Sequence, residues 1–207
     1  MDFDGVIVDS IDECYMVSRD VYFGYSNFLY DEIEYKSLFY KYRGLVKPVY
    51  EYMVLHSSLE VFIKNKTLDF IEIFKKGLIK QNSRDRLYYE VEFFKKRSLY
   101  QDNDMKSWLS MNSLMPFGES LVGKNNNDIY IVTTKNKEAT EILLKHYGIK
   151  VKKIYSNNDI KFYGSKGLLI SHVLDKFKIK EALFLDDAIE HLETVNDPRV
   201  ICLFADW

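Results

Sequence analysis

Apolar residues recur three and four positions apart along the first half of the chain. Cys14, Val17 and Val21 have this spacing, and the stretch "RDRLYYEVEFFKKRSLY" repeats it farther on. Such spacing is typical of amphipathic helices that bury one apolar face. Strand patterns are few between residues 11 and 112, so we predict an all-helical segment there.

The pattern changes from about residue 128 onward. Short apolar runs predict four strands, "DIYIVTT", "VKKIYS", "EALFLDD" and "RVICLFA". Helical patterns lie between them, "KEATEILLKHYGI" ending near Gly148, "SKGLLISHVLDKF" with Ser165 as its N-cap, and "AIEHLETVN". This alternation predicts an α/β fold, a doubly wound parallel sheet with helices on both faces.

Composition and charge exclude several classes of protein. Apolar residues make up 47% and charged residues 29% of 207 residues, as in a globular protein. The net charge of −2 gives no electrostatic argument for binding nucleic acid. No apolar run is long enough to span a membrane. Cys14 and Cys202 have no metal or redox spacing, so we expect a reducing, cytoplasmic location.

Polar residues follow the predicted strands or begin the next helix. They are Asp2 and Asp4, Thr133 and Thr134, Lys166, and Asp186 and Asp187. Ligands of open parallel sheets bind at the carboxyl ends of the strands, so these residues are expected to share one rim. Crowded carboxylates repel one another unless a cation lies among them, and oxygen ligands suit Mg²⁺. A lysine and a hydroxyl beside that cation suit a phosphate group.

Each of these residues taken alone also has an ordinary structural interpretation. A lysine such as Lys166 is often a solvated residue of a first helical turn. Thr134 is a candidate cap for the helix that follows it, and Asp186 and Asp187 are candidate caps for "AIEHL". We interpret His191 as a partner of that helix's surface.

Together the four segments resemble the haloacid dehalogenase superfamily of phosphatases and phosphotransferases. "DFDGVIVDS" matches its first motif, "IYIVTT" its second, Lys166 in "GSKGLLI" its third and "LFLDDAIEHL" its fourth, in the family's order. The resemblance implies a Rossmann-like core of residues 1–10 and 117–207. Residues 11–116 would form an inserted all-helical cap.

The resemblance also implies catalytic roles. Asp2 would attack phosphorus as the nucleophile, and Asp4 would act as the general acid and base. Thr133 would bind the phosphoryl oxygens, and Lys166 would neutralise charge on both Asp2 and the phosphate.

A magnesium ion and phosphate contacts are part of the same expectation. The expected Mg²⁺ ligands are Asp2, the main-chain carbonyl of Asp4, and Asp187 with Asp186 close behind. Backbone N–H groups at Thr134 and Lys135 would help Thr133 and Lys166 to bind phosphate.

We therefore expect a Mg²⁺-dependent phosphatase acting on a small phosphorylated substrate through an aspartyl phosphate. The alternatives are a sugar phosphomutase of the same superfamily and a catalytically weak or degenerate binding relative. The second alternative arises because only Met1 precedes Asp2, where the family has four or five apolar residues. We expect a few residues to precede Met1 in the natural chain, and weak or no activity if none do.

Overall fold

The computed structural model describes residues 1–24 and 27–206. Tyr25, Ser26 and Trp207 fall within the predicted cap and core ranges but outside the described residues. The chain divides into two compact units, Met1–Ser10 with Asn112–Trp207, and Ile11–Met111. The role of the second unit as a cap stays a prediction.

The unit Ile11–Met111 is built from helices. They are α1 (Ile11–Phe23), α2 (Glu32–Tyr42), a 3-10 turn (Arg43–Leu45), α3 (Glu51–Lys64), α4 (Phe70–Lys80), α5 (Ser83–Asn103) and α6 (Met105–Ser110). Side chains of Asp31, Asp69, Asn82 and Asp104 accept N–H bonds at the starts of α2, α4, α5 and α6. Such caps each stabilise a helix by about 1 kcal/mol.

Aromatic side chains fill the core of this helical unit, and one buried histidine lies among them. Nε2 of His56 lies 2.8 Å from Ser18 Oγ, and Nδ1 lies 2.8 Å from the hydroxyl of Tyr35. Burial lowers the pKa of His56 to about 3, because the charged imidazolium would lose its hydration there. His56 is therefore a neutral core residue.

The other unit carries short strands and helices. They are β1 (Val8–Asp9), β2 (Ser113–Leu114), α7 (Pro116–Leu121), β3 (Tyr130–Val132), α8 (Lys137–His146), β4 (Lys153–Tyr155), α9 (Asn157–Tyr163), α10 (Lys166–Phe177), β5 (Ala182–Asp186), α11 (Ile189–Leu192) and β6 (Val200–Phe204). The predicted strands and helices after residue 128 are thus present, most of them shorter than their patterns. Ser165 caps α10 as predicted, and Gly148 follows the end of α8 with φ +66°.

The predicted doubly wound, Rossmann-like parallel sheet is wrong. Among the described residues, helices make up 58% of the structure, and six short strands form three sheets of two strands each. β1 pairs with β2 in antiparallel fashion, whereas β3 pairs with β4, and β5 with β6, in parallel fashion.

A tight turn explains why the two parallel pairs do not form one ladder. The Met1 nitrogen donates to Tyr130 O, Val132 N donates to Met1 O, and Asp2 N donates to Leu185 O. The extended backbone stops there, because Ile7 N and Val8 N both turn back to Phe3 O, at 2.8 and 3.1 Å. Three hydrogen bonds from two residues link β3 and β5 without making a strand between them.

Helix α10 packs its apolar side on both parallel pairs. Leu169 and Val173 of α10 share one buried cluster with Val132 of β3, Tyr155 of β4 and Phe184 of β5. This packing fixes the first residue of α10, Lys166, near the carboxyl end of β5. No helix among residues 1–24 and 27–206 is long and apolar enough to cross a lipid bilayer.

Candidate active site

The predicted residues Asp2, Lys166 and Asp186 meet in the interior of their unit. Lys166 Nζ lies 3.0 Å from Asp2 Oδ2 and 2.7 Å from Asp186 Oδ2. All three residues are at most 4% exposed. A lysine in the first turn of a helix is disfavoured by the helix dipole, and the two carboxylates offset that cost here. The interpretation of Lys166 as a solvated surface lysine is therefore wrong.

Burial and charge act in opposite directions on these three groups. Burial is the main reason that the pKa of Asp2 rises to about 6, and the charge of Asp186 adds to the rise. Burial opposes the ammonium of Lys166, but the two carboxylates outweigh it and raise the pKa of Lys166. Two buried carboxylates thus share the ammonium group of Lys166.

One oxygen of Asp2 has no partner among the described residues. Oδ2 is bonded to Lys166, but Oδ1 is buried and accepts no hydrogen bond. A buried carboxylate oxygen without a donor is costly and is rare in proteins. It is the oxygen of Asp2 that no described donor occupies.

Both oxygens of Asp186 are engaged by the protein. Oδ2 binds Lys166, and Oδ1 accepts from Ala188 N at 2.9 Å and lies 3.2 Å from His191 Nδ1. Burial raises the pKa of Asp186, but His191 and Lys166 outweigh it, so the net pKa is lowered. Asp186 therefore anchors Lys166 and bonds to the residue before α11, but the N-cap of α11 is Ala188, without a side-chain cap bond, so the prediction of Asp186 or Asp187 as the cap is wrong.

His191, which the sequence led us to interpret as a partner of the helix surface, lies beside Asp2 and Asp186. Asp2, Asp186 and His191 each offer one ligand atom, and these atoms lie within 4.8 Å of one another. Thr194 fixes the place of His191, because its Oγ donates to His191 O at 2.7 Å and accepts from Gly167 N at 3.0 Å. The start of α10 and the end of α11 are thereby tied together.

Asp187 lies against the turn that follows Asp4. A Cβ built on Gly5 would stand 2.2 Å from Asp187 Oδ2. The φ angle of Gly5 is +74°, a conformation that other residues rarely adopt. The carboxylate of Asp187, which is otherwise exposed, thus rests on backbone directly beside Asp4.

Asp4 is joined to a second lysine and not to Lys166. Its Oδ1 accepts from Ser10 Oγ at 2.6 Å and from Lys135 Nζ at 3.1 Å. Ser10 and Lys135 are buried, whereas the Asp4 side chain is 26% exposed. The sequence pattern gave Lys135 only a backbone role, because nothing local links residue 135 to residue 4.

The two threonines are placed less favourably for binding phosphate. Thr133 is buried, and its Oγ1 already accepts the N–H of Lys135 at 3.1 Å. That amide is therefore not free for phosphate. Thr134 is half-buried, and the N-cap position of α8 belongs to Asn136 and not to Thr134. Neither threonine has a described contact with Asp2 or Lys166.

No protein-family model, curated protein or solved structure matches the chain. The haloacid dehalogenase superfamily therefore stays a resemblance based on four short motifs. The function of the site has to follow from its own geometry.

The donors at this site fit a hard divalent cation. Asp2 supplies a buried carboxylate, and Asp187 brings a second carboxylate to the turn at Gly5. Oxygen donors of this kind are the ones that Mg²⁺ prefers. Asp186 fits less well as a ligand, because Lys166, Ala188 and His191 already use its oxygens.

Proposed function

We propose that the protein is a Mg²⁺-dependent phosphatase that hydrolyses a small phosphomonoester through an aspartyl phosphate on Asp2. The observation that carries this proposal is the buried carboxylate of Asp2, with Oδ2 fixed by Lys166 and Oδ1 left without a partner among the described residues. One oxygen is oriented by a cation, so the other is held ready to attack.

In the first step, Asp2 Oδ1 forms a bond to phosphorus and the ester P–O bond breaks. The leaving oxygen takes a proton from the Asp4 carboxyl group. Lys166 stays bonded to Oδ2 of Asp2 and opposes the negative charge that gathers on the phosphoryl oxygens. Its burial strengthens this effect, because little water screens the interaction.

In the second step, a water oxygen forms a bond to phosphorus and the bond between phosphorus and Asp2 breaks. The water proton passes to Asp4. Cleavage of the bond between phosphorus and Asp2 restores the Asp2 carboxylate and releases phosphate. Asp2 and Asp187, with the main-chain carbonyl of Asp4, are the residues that would hold Mg²⁺. When bound, the ion would offset the repulsion between the attacking carboxylate and the phosphate.

A cytoplasmic location belongs to the same proposal. Cys14 and Cys202 are free thiols, and Cys202 is exposed. An exposed free thiol is compatible with a reducing compartment. The net charge of −2 gives no electrostatic attraction for nucleic acid, and Lys166 is the cation of the site that would attract a small anionic substrate.

Hydrolysis of p-nitrophenyl phosphate with and without Mg²⁺ tests the proposal. We expect turnover that requires Mg²⁺ and falls at least about 1,000-fold in Asp2→Asn. Asp128→Asn is the matched control, because Asp128 is an exposed carboxylate of the same unit. Turnover that persists in Asp2→Asn, or that Asp128→Asn removes equally, would contradict the assignment of the nucleophile.

A further inference from the structure

Two buried side chains that have no role in the proposed reaction steps bind the carboxylate of Asp4. Lys135 Nζ lies 3.1 Å from Asp4 Oδ1 and 3.1 Å from Ser10 Oγ, and Ser10 Oγ donates to the same Asp4 oxygen at 2.6 Å. Lys135 is 3% exposed and Ser10 is 4% exposed. The two contacts with Asp4 both end on Oδ1, and Asp4 Oδ2 takes no part in them.

The close pair of Ser10 and Lys135 does not make a serine nucleophile. Lysine activates serine by accepting the hydroxyl proton, whereas Lys135 Nζ donates to both Ser10 Oγ and Asp4 Oδ1. The hydroxyl proton of Ser10 is also directed at Asp4 and not at Lys135. Ser10 and Lys135 are therefore arranged to bind the carboxylate of Asp4.

Backbone structure fixes both partners of Asp4. Ser10 directly follows β1, whose pairing of Val8 with Leu114 and Asp9 with Ser113 holds it to β2. Lys135 follows β3, and its N–H is bonded to Thr133 Oγ1 at 3.1 Å. Two hydrogen-bonded segments therefore converge on one carboxylate that lies in a turn.

We propose that Lys135 and Ser10 are positioning residues that hold Asp4 for the second step of the reaction, the hydrolysis of the aspartyl phosphate. This inference rests on the proposed function. With Oδ1 occupied by two donors, Oδ2 of Asp4 is the oxygen that takes the proton from water. As that proton transfers, the water oxygen bonds to phosphorus and the bond from phosphorus to Asp2 breaks.

Burst kinetics with p-nitrophenyl phosphate separate this role from a structural one. The p-nitrophenolate leaving group needs little protonation, so the first step depends little on Asp4. In Lys135→Met we expect a full burst of p-nitrophenolate, a steady-state rate that is about 10- to 100-fold lower, and accumulated phosphoenzyme. Lys135→Arg keeps the ion pair and is expected to restore most of the steady-state rate.

Ser10→Ala is the second variant, and we expect the same change at smaller amplitude because the ion pair remains. Lys137→Met is the matched control, because Lys137 is exposed and pairs with Glu141 one helical turn away on the surface of α8. Its burst and steady state should equal those of the parent protein.

Several results would overturn the inference. Burst and steady state that fall together in Lys135→Met and Ser10→Ala would mean that these residues only support the fold. Unchanged kinetics in both variants would mean that Asp4 does not need them. If the parent protein formed neither p-nitrophenolate nor phosphoenzyme with Mg²⁺, the proposed function itself would fail and this inference with it.

Discussion

The carboxylate of Asp187 occupies the space that a side chain on Gly5 would fill. A Cβ at position 5 would stand 2.2 Å from Asp187 Oδ2 and 2.4 Å from its Cγ. Gly5 also has a φ of +74°. The turn beside Asp4 and the acidic residue after β5 can therefore meet only because residue 5 is glycine.

Replacing Gly5 should uncouple Asp187 from this turn. In Gly5→Ala we expect a loss of about 1–2 kcal/mol of unfolding free energy from the backbone angle, together with displacement of Asp187. The Mg²⁺ concentration for half-maximal activity should rise about tenfold or more, a change of about 1.4 kcal/mol in binding. A Mg²⁺ titration of the hydrolysis rate and urea unfolding measure the two effects.

Gly123→Ala is the matched control for backbone strain. Gly123 has a φ of +69°, but a Cβ added there would meet nothing within 4 Å beyond its chain neighbours. It should lose similar stability while its Mg²⁺ requirement stays unchanged. Equal shifts of the Mg²⁺ requirement in the two variants would mean that Asp187 has no special relation to Gly5.

Removing Lys166 should destabilise the unit more than removing any exposed lysine. Lys166→Met leaves Asp2 and Asp186 buried without their shared cation, which should cost about 3–5 kcal/mol. Urea unfolding of Lys166→Met, with Lys137→Met as the exposed control, gives this difference. Adding Asp186→Asn to Lys166→Met should recover part of the loss, and no recovery would show that repulsion between the carboxylates is not its cause.

The helical unit should lose stability as the pH falls because of His56. Its pKa is about 3 in the folded unit, well below the value of about 6.5 expected when unfolded. Below pH 6.5 the unfolded chain therefore binds a proton that the folded unit does not. The contribution of neutral His56 to the free energy of unfolding is fully present above pH 6.5. Between pH 6.5 and pH 3 the free energy of unfolding falls by about 1.4 kcal/mol per pH unit.

Urea unfolding at pH 7 and at pH 5 measures this dependence. We expect His56 to account for a fall of about 2 kcal/mol in the free energy of unfolding from pH 7 to pH 5. His56→Gln should lack that part of the fall. A pH dependence that is the same in His56→Gln would show that other groups produce it.

Local pattern predicted the elements of this chain better than their assembly. Apolar runs and caps such as Ser165 identified the strands and helices after residue 128, because those signals lie within each segment. The prediction of a single parallel sheet was wrong because strand pairing is decided by contacts between distant segments of the chain. The backbone bonds to Phe3 O end the extended chain after Asp2, so no strand forms between β3 and β5.

The site shows the same division between local and distant information. Asp2, Lys166 and Asp186 are recognisable from the short motifs that contain them, and the structure brings these three together. Lys135 meets Asp4 across 131 positions of the chain, so its side chain had no sequence signal. His191 lies five positions after Asp186, and its contact depends on the short helix α11.

Chemical trapping of phosphorylated Asp2 tests the central claim most directly. The protein would be mixed with p-nitrophenyl phosphate and Mg²⁺, quenched, and reduced with borohydride, which converts an aspartyl phosphate into homoserine. Peptide mass spectrometry should find homoserine at position 2 in the parent protein and none in Asp2→Asn. Turnover without homoserine at position 2, or with the modification at another residue, would contradict the account.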